Sequence, residues 1–447
     1  MSTLKVNKLR DTAGSADAIT LDPNGGAVLA GVTTVSTVKV GSGVTISSDG
    51  DVFTTGITTS STVIVGSGVT ISESGIEASG IGITVANING TQIGGRRNII
   101  INGAMNVAQR GTSSTTDGYQ TVDRFSVEDG NEDESCTREQ AAVTSGGAYN
   151  AGFRNCLKIT NGNQTGGAGA TDYIQIMQRV EAQNMANSGW NFASSSSFIT
   201  LSFWVKTSVA QAFSGSLRTA DGTAYSYKFD TPIIPPNTWT KVVKTIPGNS
   251  NLTFADDNGD GLSVYLYAYL GTTYTSSNTN TETWITAATD TYSNDMSQNW
   301  WTTNDATFEV TGFQLEVGPQ ATAFEHRSFG EELALCQRYY YRITPSNQGF
   351  YGVGNIDGGN QGQILINFPV TMRSKPTSLE TTGTATDYIL RVTSNVNCTG
   401  VPSIDNTSPD NALVIPAASS HGLTDKSGAF LRAGSDSSFL GFVGAEL

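Results

Sequence analysis

The chain has few of the residues on which many functions depend. It holds two histidines and four cysteines in 447 residues, and its 25 lysines and arginines face 39 aspartates and glutamates. The resulting net charge of −14 disfavours nucleic acid as a partner, because phosphate binding needs clustered cations. Anionic membrane surfaces are disfavoured for the same reason. Neutral glycans and other proteins stay open as partners.

Long apolar runs are also missing. No stretch of 18 apolar residues occurs, so the sequence predicts no membrane insertion. The opening residues 1–5 lack the apolar segment of a signal peptide, and we expect synthesis in a cytoplasm. The cysteines follow no metal-ligand spacing, which favours reduced thiols, although the first two could pair. They are Cys136, Cys156, Cys336 and Cys398.

With two histidines, nucleophilic catalysis has few candidates. A Ser/His/Asp or Cys/His arrangement would need His326 or His421. His326 joins two predicted elements, which favours a structural role, and His421 falls in a predicted loop. Carboxylates are common, but no spacing singles out the pair that a glycosidase needs. The sequence therefore predicts no catalytic residue and no enzyme.

Glycine, serine and threonine are abundant where charged residues are scarce. Charged residues make up 14% of the chain, apolar residues 37%, and glycine alone counts 50. This composition favours short strands joined by turns over long helices. A length of 447 residues indicates two to four domains. We therefore expect a mainly β protein with several domains.

An internal repeat occupies the first 95 residues. Residues 36–47 and 61–72 match at eleven of twelve positions with an offset of 25, and a weaker copy begins near Ile19. Each copy alternates like a strand but has too few apolar residues to bury a core alone. Stacked repeats or several wrapped chains would bury one. Residues 1–95 are thus predicted to form a fibre shaft, with a disordered linker as the alternative.

A trimer follows from the same repeat. Three wrapped chains would turn the apolar side chains of each copy towards a shared axis, burying what one chain leaves exposed. We therefore expect an elongated homotrimer. The side chains concerned are Val38, Val40, Val44 and Ile46.

Residues 96–327 are predicted to form a jelly roll or β-sandwich. The segment Ile199–Lys206 alternates cleanly, with Trp204 on the face opposite the apolar row. Further strands are expected at 239–246, 262–270 and 307–317, the last with a bulge at Gly312. Turn signals separate these strands, as in all-β domains.

One helix and a smaller domain follow. Ser328 and Glu331 have the spacing of a capping box, which predicts a helix over 328–344 that ends before Pro345. Residues 345–447 are predicted to form a small C-terminal β domain at the tip. Its expected strands cover 363–370, 388–392 and 430–443.

Two kinds of binding site are candidates. The segment 256–261 matches the start of a calcium loop, D-x-N-x-D-G, but Tyr267 stands where such a loop has glutamate, and an acidic turn is the favoured alternative. The calcium ligands would be Asp256, Asn258 and Asp260. Aromatic side chains could bind a glycan, with core or interface packing as the alternative. These candidates are Trp204, Tyr265, Tyr267, Tyr269, Trp300, Trp301, Phe350, Tyr351 and Tyr388.

The aromatic candidates differ in context. Tyr265, Tyr267 and Tyr269 are predicted to share one face of a strand. Trp300 and Trp301 lie in a polar region where adjacent indoles are hard to explain as core. The last three lie in the C-terminal domain, within predicted loops rich in hydrogen-bonding groups, and we expect recognition there first and in the sandwich second.

Three stretches resemble tail fibre proteins of tailed bacteriophages. The first is Arg97–Gly111 with Asp123–Phe125, the second runs from Phe313–Pro319 through Phe324–Ser328 into Cys336–Tyr341, and the third is Phe439–Leu447. The opening repeats are similar to structural proteins of phages that infect marine cyanobacteria. The resemblance implies a carbohydrate-binding-type jelly roll, a helical neck, a terminal β domain and a trimeric fibre on the virion.

The function implied is adsorption to a host surface through a glycan or protein receptor. The N-terminal region would contact other phage particle proteins. Two alternatives stay open. One is a tailspike that cleaves host polysaccharide, and the other is a purely structural capsid or neck fibre.

Overall fold

The computed structural model describes residues 97–276, 281–419 and 423–447, together with the backbone of short strands between Lys8 and Gln92. The chain divides into two compact units, Met1–Val85 and Ala86–Leu447. Among the described residues the structure is mainly β, as predicted.

The first unit contains an equivalent antiparallel strand pair in each sequence repeat. The first strands of these pairs begin at Ile19, Val44 and Val69, so they keep the 25-residue offset of the repeat. Val38 and Val40 lie outside the described residues, and the side chains of Val44 and Ile46 do too. The trimer therefore stays a prediction. The strands are β1 Lys8–Leu9, β2 Ile19–Leu21, β3 Ala27–Leu29, β4 Val44–Ile46, β5 Val52–Thr54, β6 Ile64–Val65, β7 Val69–Ser72 and β8 Gly75–Ala78.

The second unit opens with a short hairpin and a β-sandwich. The predicted alternation of strands is confirmed, and the bounds agree closely with those read from the sequence. The elements are β9 Asn87–Ile88, β10 Thr91–Gln92, β11 Ser113–Ser114, β12 Ser126–Gly130, β13 Thr137–Ala142, α1 Gly146–Asn150, β14 Asn155–Thr160, β15 Tyr173–Glu181, α2 Ala182–Ala186, β16 Phe198–Thr207, β17 Ser214–Thr219, β18 Tyr225–Asp230, β19 Thr240–Pro247, β20 Asp260–Leu270, β21 Thr275–Ser276, β22 Trp284–Thr286, β23 Ser293–Asn294 and β24 Thr307–Val317.

Two six-stranded antiparallel sheets form the sandwich. The first sheet has the order β11-β13-β14-β24-β16-β19, and the second has the order β12-β15-β20-β17-β18-β22. Their inner faces share one hydrophobic core. Phe203 of the first sheet stacks on Phe313 with ring centroids 5.0 Å apart, and it meets Phe229 of the second sheet at 6.4 Å.

The bulge predicted at Gly312 is present. The pairing of β16 with β24 shifts between Ser202 and Trp204, and Gly312 has a φ of +66°. The extra residue brings Phe313 and Leu315 onto the core face in phase with the other buried residues.

A helix and a second β domain complete the unit. Ser328 caps the helix as predicted: its hydroxyl accepts from the Glu331 backbone N–H, while the Glu331 carboxylate accepts from the Ser328 N–H at 2.9 Å. The helix ends at Gln337 and not near 344, because the next residues pair as a strand. The elements are α3 Phe329–Gln337, β25 Tyr341–Ile343, β26 Phe350–Asp357, β27 Gln361–Asn367, β28 Ser378–Glu380, β29 Tyr388–Arg391, β30 Asn395–Asn397, β31 Ser403–Thr407, β32 Asn411–Ile415, β33 Gly428–Ala433 and β34 Leu440–Val443.

The C-terminal domain has a seven-stranded sheet, β30-β29-β33-β26-β27-β32-β31, packed on a three-stranded sheet, β25-β34-β28. The predicted strand over 430–443 is two strands, one in each sheet. Short 3₁₀ turns at Thr289–Thr291 and Ala385–Asp387 lie in connecting segments.

Charged side chains join this domain directly to the sandwich. Glu446 accepts from Arg124 at 2.6 Å and from Arg110 at 3.4 Å. The guanidinium groups of these two arginines lie 3.4 Å above the Tyr339 ring and 3.5 Å above the Tyr340 ring respectively. The segment after the helix is therefore packed between the two domains and is not a spacer between them.

Candidate functional site

The outer face of the second sandwich sheet carries a cluster of tyrosines. Tyr265 and Tyr267 stack there with ring centroids 5.8 Å apart, and both are buried. Tyr269 was predicted on the same face, and that prediction is wrong. The register of β15 against β20 shifts between Tyr267 and Tyr269, so Tyr269 turns into the core and contacts Trp301 at 4.9 Å.

A surface pocket opens beside this tyrosine pair. It encloses about 170 Å³, which is below the roughly 300–1,000 Å³ of pockets for drug-sized ligands. Three half-buried aromatic rings form much of its wall. The lining residues, called here the tyrosine pocket, are Tyr173, Gln175, Leu270, Tyr274 and Tyr292.

The strands and one loop each supply part of this wall. Tyr173 and Gln175 alternate with the buried Ile174 on β15, so both face outward. Tyr274 and Tyr292 belong to the loop after β20, where a parallel pairing of β21 with β23 holds the two segments side by side. The Tyr274 ring meets the Tyr173 ring edge-on at 5.8 Å.

The loop is fastened to the sheet below it. The Tyr292 ring stands edge-on to Tyr265, with centroids 5.7 Å apart, and Arg218 lies 3.8 Å above the Tyr292 ring. Lys228, buried on the sheet, donates to the Ser276 hydroxyl at 2.6 Å. These contacts hold the aromatic wall in place before any ligand arrives, which lowers the entropic cost of binding.

Polar groups lie at the floor and edge of the pocket. The Gln175 amide donates to Glu128 at 2.9 Å, which fixes the orientation of the amide and leaves its oxygen as an acceptor. The Tyr173 hydroxyl is protonated at neutral pH, as a free tyrosine is, and can donate a hydrogen bond. Burial and the neighbouring Glu128 raise its pKa further. The five described lining residues carry no formal charge.

Trp204 lies on the outer face of the first sheet, as predicted. Its ring packs against Gly147, where an added Cβ would lie 2.5 Å away. A second cavity of about 210 Å³ lies beside it, lined in part by Lys206 and Trp239. The Lys206 ammonium is paired with Glu309 at 2.7 Å, so this groove is polar but its cation is already neutralised.

Trp300 and Trp301 are part of the core. The exposed fraction is 0% for Trp300 and 1% for Trp301, and both indole N–H groups donate to backbone carbonyls, of Thr307 at 3.0 Å and Gly167 at 2.7 Å. The expectation that adjacent indoles in this segment are hard to place in a core is therefore wrong. Their burial favours the packing alternative.

Of the three aromatic candidates in the C-terminal domain, two are buried and one is exposed. Tyr351 and Tyr388 are buried, and the Tyr388 hydroxyl donates to the Phe439 carbonyl at 2.7 Å. Phe350 is 55% exposed. All three lie at strand positions and not in loops, so only Phe350 presents its ring to solvent.

The residues of the candidate calcium loop point to different partners. Asp256 accepts from Asn187 at 2.8 Å, Asn258 donates to the Arg373 carbonyl at 2.6 Å, and Asp260 pairs with Arg179 at 3.4 Å. Within the described part of the chain, no group of three or more acidic, histidine or cysteine side chains is arranged to hold a metal ion. Calcium binding stays a prediction.

The remaining sequence candidates have structural positions. All four cysteines are buried free thiols, so Cys136 and Cys156 do not pair. The His326 ring packs on Phe153 and Phe324 at 5.3 and 4.9 Å. His421 lies outside the described residues.

Sequence reasoning named none of the five lining residues of the tyrosine pocket as a site candidate. Strand alternation could have found Tyr173 and Gln175, because every second residue of 173–181 faces outward. Tyr274 and Tyr292 carry no such signal, since they lie in an irregular loop and are brought together by long-range packing.

No protein-family profile matches the chain, and no curated protein sequence matches it either. Among solved structures, a putative sugar binding protein from Bacteroides thetaiotaomicron is 12% identical, with a TM-score of 0.28 over 49% of this chain and 99% of that one. A family 11 carbohydrate-binding module of a Clostridium thermocellum cellulase is 13% identical, with a TM-score of 0.22 over 48% and 98%.

The enzymatically active domain of tailspike protein 4 from bacteriophage CBA120 is 9% identical, with a TM-score of 0.27 over 49% of this chain. The matched part spans 21% of that tailspike chain. Likeness at this level carries no argument about function. Separately, no helix within the described ranges is long and apolar enough to span a membrane.

Proposed function

We propose that this chain is a tail fibre protein of a bacteriophage virion that attaches the particle to a host by binding a surface glycan. It acts as a homotrimer, with the N-terminal repeats towards other particle proteins, and it is made in the cytoplasm of the bacterial host. The sequence stretches that resemble tail fibres and the regular strand pairs of the repeats support the assignment to a fibre.

The tyrosine pocket carries the binding part of the proposal. Sugars present C–H faces that pack on aromatic rings and hydroxyls that need hydrogen-bond partners. Tyr274 and Tyr292 offer such rings, and Gln175 and the Tyr173 hydroxyl offer polar partners beside them. The described lining residues carry no formal charge, which favours a neutral sugar over an acidic one.

Binding without cleavage is the favoured activity. Hydrolysis of a glycosidic bond needs two carboxyl groups about 5–9.5 Å apart across the sugar. The described lining residues contain no carboxylate, and the neighbouring Glu128 accepts a hydrogen bond from Gln175. A reducing-sugar assay on host polysaccharide tests this point, and release of sugar would assign the chain to the depolymerases.

Calorimetric titration with neutral oligosaccharides from host surface polysaccharide tests the binding site. Tyr292→Ala should weaken binding by about 1–2 kcal/mol, the usual loss for an aromatic anchor, or roughly 5–30-fold in Kd. Tyr149→Ala is the matched control, because Tyr149 is also a partly exposed tyrosine under an arginine, with Arg154 at 3.9 Å. Equal affinities of the two variants would reject the tyrosine pocket as the site.

A further inference from the structure

An apolar row crosses the outer face of the seven-stranded sheet. The strand register places four apolar residues opposite one another on neighbouring strands, with an arginine at one end. In order across the sheet the row is Arg391, Phe430, Val353, Leu365 and Leu413. The residues adjacent to them on each strand face the core, so this side belongs to the surface.

The row is strongly exposed in the single chain. The exposed fraction is 59% for Val353, 46% for Leu365 and 44% for Phe430. Phe350, 55% exposed, widens the row, with its ring 5.2 Å from that of Phe430. Contiguous apolar surface of this kind marks an interaction site, whereas single exposed apolar residues are ordinary.

The two ends of the row differ in charge. Arg391 and Arg432 lie at one end, and both donate to the neutral side-chain oxygen of Asn395, at 3.2 and 3.0 Å. Asp405 lies at the other end, on β31 beside Leu413. It follows Ile404, which packs into the core, and it is itself exposed, at the point where the pairing of β31 with β32 shifts register.

The sheet as a whole is neutral. Its seven strands hold four charged residues, two arginines and two aspartates, so the formal charges cancel, against −14 for the whole chain. Two copies of an acidic protein repel each other over most of their surfaces. A neutral face with opposite charges at its ends is where two copies approach at the least electrostatic cost. The four residues are Arg391, Arg432, Asp357 and Asp405.

We propose that this face binds a second copy of the same chain. The three copies of the proposed homotrimer meet head to tail around a threefold axis, with the apolar rows turned towards that axis and the arginine end of one copy against Asp405 of the next. A contact of one row directly on another would instead close at two copies. The proposal specifies the interface for the self-association part of the proposed function, and it does not depend on glycan binding.

Light scattering on the full chain tests the interface. The wild type should give three times 47.0 kDa, and the double variant Val353→Lys, Leu365→Lys should give a single chain. Val243→Lys is the matched control, because Val243 is a valine 44% exposed on a strand of the sandwich, and its assembly should equal that of the wild type. A single-chain wild type, or a double variant that assembles normally, would overturn the proposal.

A charge exchange keeps the test decisive if the double variant misfolds, as judged by circular dichroism. Asp405→Arg should weaken assembly at least tenfold, and adding Arg391→Asp and Arg432→Asp should restore it. Failure of this restoration would contradict the head-to-tail pairing.

Oligosaccharide titration of the single-chain variant separates the two proposals. If the variant keeps its affinity for the oligosaccharide, the apolar row is an interface separate from the tyrosine pocket. If the affinity per site is lost, the row is part of the ligand site, and the proposed interface is overturned.

Discussion

Arg338 holds Glu181 at two points, with its Nε and one terminal nitrogen each 2.7 Å from a carboxylate oxygen. Glu181 ends a strand of the sandwich and Arg338 follows the helix, so the pair joins two parts of the fold 157 residues apart. The Glu181 side chain is completely buried, and Tyr339 also donates to it at 2.5 Å.

Removing one partner should therefore be costly. Arg338→Ala leaves a buried carboxylate without its cation, and we expect a loss of about 3–5 kcal/mol in the free energy of unfolding. Lys158→Ala is the control, since Lys158 and Glu139 form a more exposed pair at 3.1 Å for which about 0–1 kcal/mol is expected. Urea denaturation measures both, and similar losses would contradict the ranking.

The same contact makes stability depend on pH. Burial alone would raise the pKa of Glu181, but hydrogen bonds from Arg338 and Tyr339 outweigh it and leave the pKa below its ordinary value of 4.5. A carboxyl with a lowered folded pKa stabilises the fold above its unfolded pKa, and this contribution is lost as the pH falls through the folded value. Glu181→Gln should abolish that part of the acid sensitivity, as measured by melting temperature in acid.

Asp123 should show the opposite pH dependence. Burial raises its pKa from 3.8 to about 6, although Gln109 donates to it. Between these values the folded chain holds a proton that the unfolded chain has lost, so stability falls as the pH rises, by about 3 kcal/mol at most for two pKa units. Relative to the wild type, the free energy of unfolding of Asp123→Asn should increase from about pH 4 to about pH 6, as measured by urea titrations. Parallel stability curves would contradict this.

The helix cap can be tested with a matched serine. Ser328→Ala together with Glu331→Ala should lower the free energy of unfolding by about 1 kcal/mol, because both capping hydrogen bonds are lost. Ser145 precedes a short helix but forms no capping hydrogen bond through its side chain. Ser145→Ala should therefore leave the melting temperature unchanged, and an equal effect of both changes would contradict the cap.

The glycine of the bulge should resist substitution. Gly312 has a φ of +66°, and an added Cβ would lie 2.6 Å from the Phe153 ring. Gly312→Ala should destabilise the fold by about 1–3 kcal/mol through backbone strain and overlap. Gly330, in the helix, has open space around it, and Gly330→Ala should be neutral or stabilising. Thermal melting of both variants distinguishes the two sites.

Local sequence patterns predicted the strands and the helix, whereas long-range contacts determine which aromatic side chains lie at the surface. The cap at Ser328, the alternation around Phe203 and the bulge at Gly312 depend on neighbours in sequence, and all three are confirmed. The burial of Trp300 depends on Thr307 and on distant strands. The position of Tyr269 depends on a register shift against β15 that alternation within β20 does not reveal.

The contacts between the sandwich and the C-terminal domain could not be predicted, for a related reason. Composition and turn signals show where a segment leaves one sheet and enters another, which is how the neck was expected at the helix. They do not show that Tyr339 and Tyr340 lie under arginines more than 200 residues earlier in the chain.

The link between Arg124 and Glu446 has a consequence for synthesis. The two residues are 322 positions apart, and a ribosome adds about 5–20 residues each second. A nascent chain therefore carries the sandwich arginine for about 15–65 seconds before its carboxylate partner is made. During that interval the ion pair between Arg124 and Glu446 cannot form. A chain released before Glu446 keeps a buried cation without its partner, so cellular proteases should clear shortened products faster than the full chain.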